Sequence, residues 1–414
     1  MREFIAVIGT LDTRGEEIGY IKDLIEARGH PVVVMDVGVL GEPVFVPEID
    51  HCQVAQACGL SLEEVISLGS EELAMNAMAA GASKIIMDLH VSGKLGGVLA
   101  AGGSMGTALA LRAMKELPLG VPKLIVSTIA FSPLISPDAV CGDLMMMQWA
   151  AGLWGLNSMS KSILRRATAA ISAAAEIYRR KEDLKRKPTV GVTSVGSSIS
   201  KYLRYLKPAL EERGYEVGVF HSLGMGGRVL EQAVAEGLID VVLDLSPQEL
   251  LSLVVGSPCS AGQGRMEAAG DRGIPQIVAL GTRLSVFFWP TWMALPPEFK
   301  NRFAVRHNSL TTVVAGSKEE KAAVGKLIAK KLNKAIGPVV VVHPNRDFEE
   351  GSEDKRISPF ADPEGKEACV KAVKENIKPS IKFVEIEANI NDRAFVDKVL
   401  ELFDEMTEKK DTVP

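Results

Sequence analysis

Short unbroken apolar runs alternate along the chain with longer stretches whose apolar residues return every three or four positions. Ile5 to Ile8, Val32 to Met35, "GVLAA" from Gly97 and Leu124 to Val126 are such runs. "EEIGYIKDLIEARG", between the first two, carries the helical spacing instead. Unbroken apolar strands fit a parallel sheet buried on both faces, and the intervening amphipathic helices supply the cover. The pattern predicts an α/β protein. "SKIIMDL" and "VVLDL" are both of core-strand length, and no apolar segment approaches the ~20 residues that span a bilayer.

The pattern also repeats. "FIAVIGTLDTRGEEIGYIKDLIEARGHPVVVMDVG" at the start is echoed by "TVGVTSVGSSISKYLRYLKPALEERGYEVGVFHSLG" from Thr189. Each reads as strand, small-residue loop, amphipathic helix, "RG" stop and second strand. Gly29 and Gly214 fall where a helix end calls for positive φ. Further on, "GKLGGVLAAGGS" is answered by "EGLIDVVLDLSP", and "GVPKLIVSTIA" by "GIPQIVALGTR". Two doubly wound parallel-sheet α/β domains of related topology follow, at 1–186 and 187–414. An alanine-rich helix with a charged end before Pro188 joins them, so the boundary falls near 182–188. "NINDRAFVDKVLELFDEM" reads as a C-terminal helix capped by Asn391 or Asp392.

Composition narrows the function classes. The chain has 414 residues, 47% of them hydrophobic, and a formal net charge of −5. That balance argues against general nucleic-acid binding, which needs a basic face. The five cysteines have no CxxC spacing and the six histidines no HxxxH pairing, so no metal site is expected. The N-terminus enters a strand at once, without the n- and h-regions of a signal peptide. A cytoplasmic protein with reduced thiols is the expectation.

Ligands of parallel sheets gather beyond the carboxyl ends of the strands, which singles out four loops of the first half. "GTLDTRGEE" offers Gly9 for close backbone approach, Thr10 and Thr13 as hydroxyls and Asp12 as a carboxylate for a sugar hydroxyl or a magnesium-bound water. Alternatively, Asp12 or Thr13 caps a helix starting at Gly15. Asp36 ends the second strand, where dinucleotide-binding folds place a ribose-binding acid, although no GxGxxG accompanies it. In "GVLAAGGSMGTALALRAM", Gly102, Gly103 and Gly106 let amides converge on an anion, aided by Ser104, Thr107 and a helix beginning near Thr107. A tight strand-to-helix turn would look the same, and the GK[ST] element of a P-loop is missing. "STIAFSP" adds Ser127 and Thr128, while Met145 to Met147 suit a core or a subunit contact. In the second half, Arg228 follows "GMGG", and Arg306, His307 and Asn308 form the densest polar cluster. No Ser-His-Asp set stands out, so catalytic residues stay unassigned.

Taken in order, "IAVIGTLDTRGEE", "VVVMDVGVLGEP", "GGSMGTALALRAMKELPLGVPKLIVSTIA", "GLNSMSKSIL", "ERGYEVGVFHSLGMGGRVLEQ" and "SAGQGRMEAAGDRGIPQIV" resemble the UPF0261 family, also called Tm-1-like ATP-binding domain proteins. The resemblance spans essentially the whole chain. It implies two Rossmann-like subdomains, a homodimer and ATP bound by the first subdomain. The ATP site would use Asp12, Asp36 and Gly102 to Thr107, including Met105, with magnesium only as the nucleotide's counter-ion. Met105 stands where the family loop has a glycine, so it would crowd a phosphate or hold φ negative. "TSVGSSISKY", "LSVFFWP" and "NRDFEEGSEDK" also depart from the family's second-half loops. The leading expectation is a cytoplasmic, dimeric ATP-binding protein with its phosphates on the Gly102 to Thr107 loop, working either as a ligand-gated regulator or as a low-activity enzyme. The alternatives are an enzyme for a small phosphorylated or carboxylated metabolite between the domains, contacted by Arg228, Arg306 and His307, and a scaffold with a degenerate site.

Overall fold

The computed structural model describes residues 3–179, 186–196, 200–280, 286–346 and 360–408. The chain forms two compact units, Met1–Leu184 and Lys185–Pro414. The charged run at 180–185 and most of "NRDFEEGSEDK" lie outside the described residues, as do parts of "TSVGSSISKY" and "LSVFFWP".

The first unit runs β1 (Phe4–Gly9), α1 (Leu11–Glu26), β2 (Val32–Asp36), α2 (His51–Ala57), α3 (Leu62–Ile66) and α4 (Glu71–Val91), then β3 (Leu95–Gly102), α5 (Ser104–Met114), β4 (Lys123–Ser127), β5 (Met145–Gln148) and α6 (Ser158–Arg179). Its sheet has the order β2-β1-β3-β4-β5, all parallel. Alternate residues of β1 serve opposite faces. Ile5 and Val7 pack with α1 and α6, whereas Ala6 and Ile8 pack with α4 and α5. This two-sided burial explains why the strand reads as an unbroken apolar run.

"SKIIMDL" is not a strand but lies within α4. A short apolar run fits either element, and here the alanine-rich residues before it extend a helical pattern. Met145 to Met147 form the half-buried edge strand β5.

The second unit runs β6 (Thr189–Ser194), α7 (Leu203–Glu212), β7 (Glu216–His221), α8 (Met225–Ala235), β8 (Val241–Asp244), α9 (Glu249–Val255), α10 (Ala268–Arg272) and β9 (Gln276–Ala279). After a small antiparallel sheet it continues with α11 (Lys318–Leu332), β13 (Val339–Pro344), α12 (Pro363–Asn376), β14 (Lys382–Ile386) and α13 (Arg393–Thr407). The small sheet is β10 (Val286–Pro290), β12 (Thr311–Ala315) and β11 (Ala304–Arg306), in that spatial order. The main sheet is parallel in the order β7-β6-β8-β9-β13-β14. Counted within this sheet alone, that is strand two, one, three, four, five, six, which extends the order of the first unit's sheet by one strand. The echo in sequence is thus an echo in topology. Gly29 and Gly214 close α1 and α7 with φ of 84° and 87°, values an L side chain adopts only with strain. Among the described residues no helix is long and apolar enough to cross a membrane.

At the carboxyl end of the second sheet the chain closes on itself. The Arg265 guanidinium, 1% exposed, reaches Glu249 at 2.5 Å, Asp244 at 2.7 Å and Glu231 at 3.1 Å. Asp244 also accepts from the Thr193 hydroxyl, Glu249 from the Gly224 amide, and Glu231 from the amides of Met266 and Ala268. A Cβ at Gly227 would lie 1.9 Å from a Glu249 oxygen, so the glycine-rich start of α8 makes room for this cluster. Burial pushes the Glu249 carboxyl above its usual range, against the opposing pull of Arg265.

Removing the guanidinium leaves several carboxylates with no buried counter-charge, which typically costs about 3–5 kcal/mol. Arg265→Leu should therefore lower the calorimetric melting transition of the second unit and leave that of the first in place. Unchanged melting of both would contradict this assignment.

Candidate functional site

In the first sheet the strand order reverses between β1 and β3, so a crevice is expected beyond Gly9 and Gly102. The junction after β3 is unusually short. Gly102 ends the strand, Gly103 is the N-cap residue and Ser104 begins α5. The helix thus starts three residues earlier than the sequence suggests, and Ser104, Met105 and Gly106 form its first turn. Thr107 N–H donates to Gly103 C=O at 2.8 Å. The amides of Ser104, Met105 and Gly106 precede that bond, and among the described residues no side chain caps them.

The neighbouring glycines have different physical reasons. A Cβ at Gly102 would lie 2.8 Å from the Gly106 Cα, so strand and helix approach too closely for any side chain. At Gly103 the nearest atom would be the Thr128 hydroxyl oxygen at 3.8 Å. No atom of the described residues accounts for the missing side chain at 103, and the space before it is open.

That space belongs to a cavity of about 490 Å³, within the range of small-molecule sites. Gly9, Thr10, Asp12, Thr13 and Arg14 line one side, and Gly102 to Gly106 line another. Val39, Leu40, Met75, Met78 and Leu109 supply an apolar wall, with Glu71 nearby. Arg14 is the cation among these lining residues. Its backbone breaks α1 (φ −132°, ψ 16°), so Leu11 to Thr13 form a separate turn before the main helix resumes at Gly15. The guanidinium donates to Thr13 C=O at 2.7 Å and lies over the Trp154 ring, 5.2 Å from its centre. Nothing in the loop "GTLDTRGEE" singles out Arg14 as a sequence feature; the break in α1 that brings it to the cavity is not visible in the pattern.

Other predicted residues sit differently. Thr10 and Thr13 share a hydroxyl–hydroxyl contact of 2.7 Å, and neither caps α1 through its side chain. An Asp12 carboxylate oxygen is buried without a hydrogen-bond partner among the described residues, and it faces the backbone of Gly38. Asp36 does not line the cavity. Its carboxylate accepts from the amides of Leu11 at 3.0 Å and Gly38 at 2.9 Å, with His51 Nδ1 at 3.4 Å. It therefore fixes the two loops that flank the cavity instead of presenting a free acid to a ribose. Thr107 is fully buried and its hydroxyl pairs with Ser127 at 2.7 Å, so it offers no donor to a ligand. Thr128 is half-buried beside Gly103. Met105 is helical and 45% exposed, so its position needs no glycine backbone.

The residues proposed in the second half belong to the second unit. Arg306 ends β11 on the surface, and His307 and Asn308 begin the turn into β12. Asn308 Oδ1 accepts from the Leu310 and Thr311 amides, which makes the polar cluster a hairpin turn. Arg228 is half-buried on α8.

Fold and site together define a protein of two parallel α/β units, the first with an open crevice at its strand-order reversal. The chain belongs to the uncharacterised protein family UPF0261: the family's N-terminal domain matches residues 3–180 and its C-terminal domain residues 187–407. A UPF0261 protein of Brucella suis is 40% identical over 400 residues, covering 97% of this chain and 94% of that one. One from Clostridium tetani is 37% identical over 411 residues, covering 99% of this chain and all of its own. The ToMV resistance protein Tm-1(GCR237) of Solanum lycopersicum is 29% identical over 431 residues, 97% of this chain and 55% of that protein.

The contrast between the two glycines is directly testable. Gly102→Ala forces strand and helix apart and should cost about 1–3 kcal/mol, whereas Gly103→Ala should leave thermal stability nearly unchanged. Equal melting temperatures for the two variants would contradict the packing described here.

Proposed function

We propose that the first unit binds a nucleotide, ATP, with its phosphates on the amides of Ser104, Met105 and Gly106. One observation carries this reading: a helix N-terminus without a side-chain cap opens into a cavity at the strand-order reversal, beside a glycine that no contact among the described residues requires. Unpaired amides and the positive end of the helix dipole both favour an anion there. Arg14 supplies the mobile-end counter-charge that a P-loop lysine gives elsewhere, and its stacking on Trp154 holds it at the rim. The apolar wall formed by Val39, Leu40, Met75 and Met78 suits a base. Asp12 lines the same cavity and would accept a ribose hydroxyl through its carboxylate. Magnesium enters only with the nucleotide.

This reading makes the protein a nucleotide-gated regulator. Family resemblance adds the expectation of a cytoplasmic homodimer, for which sedimentation of the purified chain at twice the monomer mass is the supporting result.

Calorimetry with ATP, ADP and AMP, with and without magnesium, tests the site. ATP should bind, and Gly103→Val should weaken it at least about tenfold, or 1.4 kcal/mol, while remaining folded. Arg14→Gln should reduce ATP affinity more than AMP affinity, because its charge acts on the outer phosphates. No heat with any nucleotide at millimolar concentration would overturn the reading.

A further inference from the structure

A second cavity of about 800 Å³ runs along the other side of α5, between α4 and the chain after β4. Its middle is apolar: Ala79 from α4, Ala108 and Leu111 from α5, and Leu134 and Ile135 from residues 129–139. The alanines keep it open, since larger side chains at 79 and 108 would fill the space between the helices. One end meets Ser104 and Met105, which also line the first cavity. The other end holds Arg112 and Lys115. From Ser104 to Arg112 the helix rises about 12 Å, which sets the length of an extended occupant.

The charged end is organised. Arg112 Nη1 donates to Asn76 Oδ1 at 2.8 Å, which orients the guanidinium and leaves other N–H groups to bind a planar acceptor. No ion pair engages Arg112 or Lys115 among the described residues. Glu116 and Asp138 also reach the lining, and Asp138 accepts from the Ser136 hydroxyl. A cavity with an apolar body and an oriented guanidinium at one end matches one ligand chemistry.

We infer that this cavity binds an organic carboxylate with an extended apolar chain, its carboxylate on Arg112 and Lys115 and its chain along Ala108 and Leu111. The inference stands on residues outside the nucleotide contacts and does not depend on the nucleotide reading. If both ligands bind, they meet at Ser104 and Met105, so each alters the affinity of the other by the same factor.

The experiment titrates hexanoate and octanoate into the full-length protein without nucleotide, followed by calorimetry and ligand-observed NMR, with octanol and octylamine as neutral and cationic controls. Octanoate is expected to saturate a single site and to bind more tightly than hexanoate and both controls. Ala108→Phe, at an exposed helical position that lines this cavity and not the nucleotide cavity, should weaken octanoate at least tenfold without altering the melting temperature or ATP binding. The Arg112→Gln and Lys115→Gln double variant should abolish the preference for octanoate over octanol. Failure of octanoate to saturate would overturn the proposal. So would equal binding of octylamine, or octanoate affinity untouched by Ala108→Phe in a folded protein. Loss of ATP binding in the wild type, with octanoate binding retained, would count against the nucleotide reading alone.

Discussion

The first unit depends on how closely β3 and α5 approach each other. With no Cβ at Gly102 the strand comes against the Gly106 backbone, and the helix begins two residues after the strand ends. That junction aims the free amides of the first turn into the crevice at the strand-order reversal. The Thr107–Ser127 hydroxyl pair then ties the buried side of the same turn to β4. Asp36 completes the frame by holding the start of α1 and the loop after β2 with one carboxylate oxygen. The open cavity is what remains between these fixed pieces, and both ligand readings proposed for this unit border α5.

The second unit shows what the same topology becomes when its crevice is filled. Its strands keep the order of the first unit, yet the equivalent carboxyl end of its sheet carries Arg265 among Asp244, Glu249 and Glu231. Its glycine-rich turn at "GMGG" accommodates a protein carboxylate at Gly227, whereas Gly103 of "AGGSMG" faces space unclaimed by the described residues. Glycine richness after a strand is therefore ambiguous by itself. The neighbour that a Cβ would meet separates a packing glycine from one that faces open space.

The elements were largely legible in the sequence because β1 to β4 are buried on both faces and the "RG" stops require positive φ. "SKIIMDL" misled because seven apolar-rich residues do not fix a period. The C-terminal helix begins at Arg393 with Asp392 in the N-cap position, as the sequence suggests, but no side-chain bond caps it. Asn391 accepts from the Tyr202 amide and Asp392 from the Asn389 amide. The candidate loop was also legible, whereas the roles within it were not. Thr107 and Asp36 look like ligand contacts in sequence, and distant partners, Ser127 and Leu11, occupy them. Arg14 has the opposite history, since a break in α1 that no pattern announces places it at the cavity. Arg265 and its three carboxylates come from separate elements across 35 residues, so their meeting depends on the fold alone.

The central claim is that the first turn of α5 receives the phosphates. Amide-resolved NMR of the isotopically labelled protein during an ATP titration tests it most directly. The account predicts saturable shifts largest at the Ser104, Met105 and Gly106 amides, with smaller ones at Arg14 and Gly103. Saturable shifts confined to the second unit, with those three amides unmoved, would contradict it.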